Sequence, residues 1–299
     1  MHFFININNK VKKYTVVYIY ILTNGDADML TVRNNNFREH EGILYYLNDA
    51  ILTESDQKEI VAHKNFEEFR AVQSHKGNDI FDAIAFRSPS INTFSKLMSR
   101  LQLSGNETVL EMGGGFCWAS ALIKREYPNT YVVGSDLILS NLQYTEKFEK
   151  ILNTHLDEKW VFHCCELPFE AEQFDRIFAF EAFHHFGEKN DFSKTLNEMI
   201  RVLKPQGKII LLHEPTSPKY LYNWAYKRVN SNPYAEEDVL VLSKIKQYVT
   251  SQKCNFSVEF YPDYEHRGFT ESIYYYTLSK LGILQKLLPC SVNIFIEKN

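Results

Sequence analysis

No run of five or more lysines and arginines occurs in the 299 residues, and the formal net charge is −4. A chain so balanced has no bulk field to draw it to nucleic acid or to an anionic membrane. No C-x-x-C pair is present either: the five cysteines stand at 117, 164, 165, 254 and 290. An odd set without that spacing argues against a zinc cage and a secreted disulfide framework, and predicts free thiols in a reducing cytoplasm. Long apolar runs are missing too. The N-terminal stretch VKKYTVVYIYIL (11–22) is basic and then apolar, faintly like a signal peptide. Its apolar part is far shorter than the ~20 residues of a spanning helix, so no stable membrane insertion is expected. Thr23-Asn24-Gly25-Asp26 follows it, without a small-x-small cleavage pattern. Residues 1–35 therefore read as a poorly ordered extension, or as a start placed too early with Met29 the true one. Internal repeats and low-complexity tracts are also lacking.

What is present is ordinary for a soluble protein: 44% hydrophobic and 23% charged residues. The length suits one domain with additions. Residues 36–103 read as a helical cap, in FREHEGILYYLNDAILT, SDQKEIVAHKNFEEFRAV and SINTFSKLMSRLQL, where apolar residues recur at three and four spacing. Ser55-Asp56 and Ser90-Ile91-Asn92 offer N-caps. From 104 the pattern changes. Apolar runs TVLEM (108–112), YVVGS (131–135), WVFHC (160–164), RIFAF (176–180) and KIILLH (208–213) are separated largely by helical segments. Strands alternating with helices predict an α/β fold, a doubly wound and mostly parallel sheet. Strands apolar throughout fit helices on both faces. FSVEFY (256–261) and SVNIFIE (291–297) read as two late strands around a helical insert at 271–288.

The first strand of that series runs into VLEMGGGFCWASA (109–121). A glycine turn at the carboxyl end of a parallel strand is a ligand site in such sheets. Spacing separates the candidates. A phosphate-binding G-x-x-x-x-G-K-[ST] loop needs a lysine that is absent here. A dinucleotide fingerprint G-x-G-x-x-G puts its third glycine, which lets helix and strand approach, at Trp118. That bulk disfavours NAD(P) and FAD.

What remains is E-x-G-x-G, made by Glu111, Gly113 and Gly115. It resembles the first motif of the class I S-adenosylmethionine (SAM)-dependent methyltransferases. CELPFEAEQFDRIFAFEAFHHF (165–186) and LNEMIRVLKPQGKIILLHEP (196–215) resemble later segments of the small-molecule branch of that family. The resemblance implies a seven-stranded sheet of order 3-2-1-4-5-7-6 with the seventh strand antiparallel. The SAM-binding domain would span 104–299, with an acceptor-pocket region at 216–289. It implies Glu111 on the methionyl ammonium, Gly113 and Gly115 near the cofactor backbone, and Asp136 on the ribose with Leu137 beside it. Glu181 would face the cofactor cleft. The family's usual adenine-binding Asp is replaced here by His163 and Cys164, so adenine recognition is expected from backbone near Cys164 and Cys165. For the acceptor side the candidates are His185, His213 and Glu214, an imidazole and acid set suited to removing a hydroxyl proton.

The expected activity is methyl transfer to a small molecule such as a sugar or metabolite hydroxyl, in the cytoplasm and without nucleic acid. The aromatic and basic stretch TSPKYLYNWAYKRVN (216–230) would meet the acceptor or pack on the core. Two other readings share the fold: a non-catalytic SAM-binding scaffold and an NAD(P)-dependent oxidoreductase.

Overall fold

In the computed structural model, residues 30–33, 37–47, 51–54, 56–61, 79–187, 190–231 and 237–299 are described, with side chains of helix 79–97 described from Arg87 onward. Residues 1–29, and with them the question of Met29, lie outside this set.

The molecule is built on one nine-stranded sheet of order β1-β2-β5-β4-β3-β6-β7-β9-β8. Its centre is β3 (Thr108–Glu111), β4 (Tyr131–Asp136), β5 (Glu158–Phe162), β6 (Phe174–Phe180) and β7 (Leu203–Thr216), all parallel to their neighbours within this group. β8 (Asn255–Phe260) and β9 (Cys290–Glu297) close one side, with β9 antiparallel to both β7 and β8. The last seven strands of the order thus reproduce the expected 3-2-1-4-5-7-6 arrangement. The chain reverses its winding at β3, which places a crevice outside the carboxyl ends of β3 to β6.

The two additional strands correct the sequence reading. Residues 37–46 were expected to be helical, but β1 (Arg38–His40) and β2 (Ile43–Tyr46) form a hairpin, and β2 extends the sheet by pairing parallel to β5. Its turn, Glu41-Gly42, has φ of 52° and 74°, the two positive values of a tight hairpin turn. ILYY (43–46) is β-branched and aromatic enough to pair at an open edge. The caps move as well. Thr53 Oγ1 accepts from Asp56 N–H at 3.1 Å while Asp56 Oδ2 accepts from Thr53 N–H at 2.7 Å. This reciprocal box caps the helical residues 56–61 from Thr53, two residues before the expected Ser55. Helix α1 (Asp79–Leu97) runs through Pro89 and Ser90 instead of starting there. Phe94 and Leu97, both fully buried, anchor its end.

Helices cover both faces. α2 (Trp118–Glu126), α3 (Leu139–Gln143) and α4 (Thr145–Leu152) follow β3 and β4, and α5 (Ser193–Val202) precedes β7. Alternate strand residues feed two cores: Val109, Val132, Val161 and Phe178 on one face, Leu110, Val133, Trp160 and Ile177 on the other. After β7 come α6 (Tyr222–Val229) and α7 (Leu242–Ser251), then β8, α8 (Phe269–Lys280) and α9 (Gly282–Leu287) before β9. Residues 30–33 lie along 168–170, through the Val32–Phe169 bridge and the Arg33 N–H to Pro168 carbonyl bond of 2.7 Å.

Candidate active site

The glycine turn is shaped by three left-handed residues, Gly113 (φ 65°), Gly115 (φ 57°) and Cys117 (φ 47°). Gly113 is needed twice over, because a Cβ there would stand 2.7 Å from the Phe186 ring. Cys117 holds the place of the third glycine, and the strand opposite adapts to it: a Cβ on Gly134 would lie 2.8 Å from the Cys117 sulfur. Close helix–strand approach is thus achieved with a glycine on β4. Trp118, at the border of the cleft, packs edge-on to Phe94 and Phe180 at 5.5 and 5.6 Å between centroids.

The turn's amides are directed inward. Met112 N–H bonds to the Phe178 carbonyl, Gly114 N–H to the Ser135 carbonyl, and Cys117 N–H to the Gly114 carbonyl, at 2.8–2.9 Å. Gly115 N–H donates to Asp136 Oδ2 at 2.8 Å. A pyrophosphate cradle requires such amides to be free for the anion. Here a carboxylate of the protein already occupies one of them. Asp136 is fixed further, as Oδ1 accepts from Ile138 N–H at 2.9 Å and from Asn141 Nδ2 at 3.1 Å.

A cleft lies against this turn. Glu111, Gly113, Gly115, Asp136, Leu137, Cys164, Glu181 and His185, eight of the eleven site residues expected from sequence, line it. It also takes in residues with no local sequence signal: Asp56 and Glu59 from the helical residues 56–61, and Arg87 and Ser90 from α1. Phe162, Phe180 and Phe186 give it an aromatic wall. Among the described lining residues, the five carboxylates of Asp56, Glu59, Glu111, Asp136 and Glu181 face a single guanidinium, Arg87.

Such crowding shows in the acidities. Burial pushes the Glu111 carboxyl up to about 7, with nearby Asp136 adding to it and the Ser120 bond opposing. Ser120 N–H donates to Glu111 Oε2 at 3.1 Å from the first turn of α2. Glu59 is likewise pushed to about 7 by burial and by the carboxylates of Asp136 and Asp56. Glu181 goes the other way. Burial would raise it, but its hydrogen bond to His213 holds it below the usual carboxylate range. His213 Nδ1 is 2.6 Å from Glu181 Oε1, and Ser90 Oγ donates to Oε2 at 3.2 Å. On its far side, His213 Nε2 lies 3.9 Å from Asp263 Oδ2.

Three expected residues stand outside the cleft lining. His213 stands behind the lining, bonded to Glu181 and stacked on the Phe180 ring at 6.1 Å between centroids. Glu214 is fully buried and takes up a structural task instead of a base's. Its Oε1 accepts from Ala182 and Phe183 N–H at 3.0 and 2.9 Å, and its Oε2 from His184 N–H at 3.1 Å. His184 Nδ1 stands 2.8 Å from the same Oε2, while its Nε2 is 2.9 Å from Glu237 Oε2. Burial would depress the His184 pKa, yet the two carboxylates raise it to about 10. Cys165 is the third. Its N–H donates to His163 Nδ1 at 3.2 Å, and His163 Nε2 is 3.2 Å from Asp56 Oδ2. The Cys165 amide, part of the backbone expected to read an adenine, is therefore taken by His163, and Cys164 alone of the cysteine pair borders the cleft. The expected acceptor-pocket region, 216–289, contributes no described residue to the lining.

Residues 110–211 match the family described as a methyltransferase domain. That match covers about a third of the chain, and over it the chain is similar to methyltransferases. Methyltransferases built on such a sheet take their methyl from SAM. The demethylmenaquinone methyltransferase of Halalkalibacterium halodurans is 29% identical over 184 residues, covering 58% of this chain and 70% of that protein. The demethylmenaquinone methyltransferase of Thermus thermophilus is 27% identical, over 40% of this chain and 52% of that protein. Among solved structures, the geranyl diphosphate C-methyltransferase of Streptomyces coelicolor A3(2), in complex with Mg2+, geranyl diphosphate and S-adenosyl-L-homocysteine, superimposes with a TM-score of 0.56. It shares 14% identity, over 70% of this chain and 79% of that one. At that identity the shared property is the fold. The domain match sits on β3 to β7, the part of the sheet that carries the glycine turn and most of the cleft.

Proposed function

We propose that the cleft holds SAM and that the enzyme passes its methyl to a small-molecule acceptor. The observation that carries this reading is the charge of the site: among the described lining residues, five carboxylates face the Arg87 guanidinium and the His163 imidazole, whose pKa burial would lower but Asp56 raises to about 9. NAD(P) and nucleoside triphosphates bring two or more negative charges and would meet a repulsive wall. SAM brings a sulfonium and an ammonium against a single carboxylate, a net positive charge. Glu111 suits the ammonium, since a buried carboxyl without a counter-charge gains one from a cationic ligand. Asp136 suits the ribose hydroxyls, with Leu137 and Cys164 beside the base. SAM supplies an activated methyl whose leaving group is a neutral thioether.

The chain's own residues then have three tasks. The turn and Asp136 orient the donor, and the aromatic wall excludes water from the transfer. Glu181 is the cleft carboxylate just after β6, hydrogen-bonded to the His213 imidazole. It is the group placed to take a proton from an acceptor hydroxyl, with His213 adjusting its basicity. Acceptors bearing a hydroxyl on a largely apolar body fit a site walled by Phe162, Phe180 and Phe186.

Titration calorimetry with SAM, S-adenosylhomocysteine, NAD+ and ATP tests the donor assignment. SAM and its demethylated product are expected to bind, and Asp136→Ala to weaken both by about tenfold or more, the loss of one charge-assisted hydrogen bond. Binding of NAD+ or ATP in place of SAM would overturn it. A labelled-methyl assay on cell extract tests transfer. SAM binding with no labelled product in any fraction would leave a SAM-binding module without turnover.

A further inference from the structure

The segments that leave the cleft alone build a surface of their own. α8 is apolar on two sides. Tyr274, Tyr275 and Leu278 lie on its inner side, with Leu278 buried, while Phe269, Ile273 and Tyr276 form an outer stripe at i, i+4, i+7. Phe269 is 81% exposed, and on α9 Ile283 is 72% exposed with Leu287 following one turn on. The Tyr220 hydroxyl donates to the Leu287 carbonyl, which joins this helix pair to the start of α6 and its exposed Trp224. Tyr276 meets Tyr264 edge-on at 5.5 Å, but these side chains stay largely exposed, and an apolar patch of this kind marks an interaction site.

The charge around the patch differs from that of the molecule. In 216–231 and 269–289, the cations Lys219, Lys227, Arg228, Lys280 and Lys286 stand against one carboxylate, Glu271, in a chain of net charge −4. Lys280 Nζ sits 5.2 Å from the Tyr276 ring centroid and the Arg228 guanidinium 5.6 Å from that of Trp224. Aromatic and aliphatic side chains with lysines and arginines at their margin are the composition of a helix lying in a bilayer interface. A second copy of the chain is a poorer occupant, because a two-fold contact would set these cations against one another. The patch belongs to the same edge of the sheet as the cleft: α9 enters β9 at Cys290, which pairs with Thr216 at the carboxyl end of β7.

We propose that α8, α9 and the start of α6 dock the enzyme on an anionic lipid bilayer, with the carboxyl edge of the sheet toward the membrane. For the methyltransferase reading on which this consequence rests, the acceptor is then one that partitions into lipid. No described helix is long and apolar enough to cross a membrane, so the contact is peripheral.

Vesicle co-sedimentation of the full chain, without SAM, tests the docking separately from methyl transfer. Wild type is expected to partition onto phosphatidylcholine vesicles containing phosphatidylglycerol about tenfold better than onto phosphatidylcholine alone, and to be released by high salt. The combined variant Phe269→Ser, Ile273→Ser and Ile283→Ser is expected to lose about tenfold or more of that binding with an unchanged melting temperature. Lys280→Glu with Lys286→Glu is expected to abolish the preference for anionic vesicles. Equal sedimentation of wild type and both variants overturns the proposal. So does a wild-type dimer by light scattering that the triple variant turns monomeric, which would assign the patch to a second copy.

Discussion

Glu111 illustrates how one side chain couples cofactor, proton and stability. Its pKa in the folded protein, about 7, lies above the ordinary 4.5, so the fold favours the neutral acid. That contribution is fully present below about pH 4.5 and is lost as pH climbs through 7, where the buried group ionises. A cationic ligand reverses the preference. SAM affinity is therefore expected to rise with pH between about 5.5 and 8 and to release protons on binding below 7. Calorimetry in buffers of different ionisation enthalpy measures both. Glu111→Gln should weaken SAM by about tenfold and flatten the profile, leaving only the part due to Glu59. A wild-type profile already flat would exclude the carboxylate from the site. His213→Asn separates binding from the acceptor side: kcat is expected to fall by about a hundredfold with SAM affinity unchanged. An equal loss of SAM binding would make His213 a structural support of Glu181 only.

Among the elements, the short turn after β6 depends on Glu214. This carboxylate serves three amides and the His184 ring at once. Glu214→Ala strands those donors and is expected to cost about 3 kcal/mol in urea denaturation. Loss of turnover with full stability would return Glu214 to catalysis. Raised to about 10, His184 stabilises the turn fully below its unfolded value of about 6.5 and loses that effect as pH rises through 10. The β1–β2 hairpin makes a second element-scale test. A Cβ at Gly42 meets nothing within 4 Å, so Gly42→Ala is strained by its positive φ alone, at about 1 kcal/mol. A larger loss would show that the hairpin edge carries more of the sheet's stability than its length suggests.

On the scale of the whole molecule, charge is distributed by function. The chain is mildly acidic, yet carboxylates gather in the cleft and cations around the α8–α9 surface, so bulk charge predicts neither site. Its sheet is longer than the family's seven strands because β2 caps the edge that β5 would otherwise leave open, where unpaired backbone groups invite aggregation. SAM at a hundred times its dissociation constant is expected to add about 2.7 kcal/mol to global stability. Thermal scans with and without cofactor read it as a rise in melting temperature. A cofactor that left the melting curve unchanged at saturation would not be held by the folded cleft.

The strand order came from the family resemblance, since no local pattern says which strands pair. The strand–helix alternation from 108 to 216 and the glycine turn were legible in the amino-acid sequence itself, because each depends on periodicity or turn chemistry over a few adjacent residues. Glu111, Gly113, Gly115 and Asp136 were legible for the same reason: they sit at strand ends, where the sheet alone puts them at one edge. The hairpin was missed although Glu41-Gly42 announces a turn, because ILYY satisfies a helical spacing over so short a run. Asp56, Glu59, Arg87 and Ser90 could not have been found, since contacts across fifty to a hundred residues leave no local pattern. Glu214 shows the limit most clearly. A carboxylate at the end of a strand reads the same whether it faces solvent or the protein interior. Only packing, which surrounded it with three amides and an imidazolium, decided that it holds the backbone instead of joining Glu181 at the cleft.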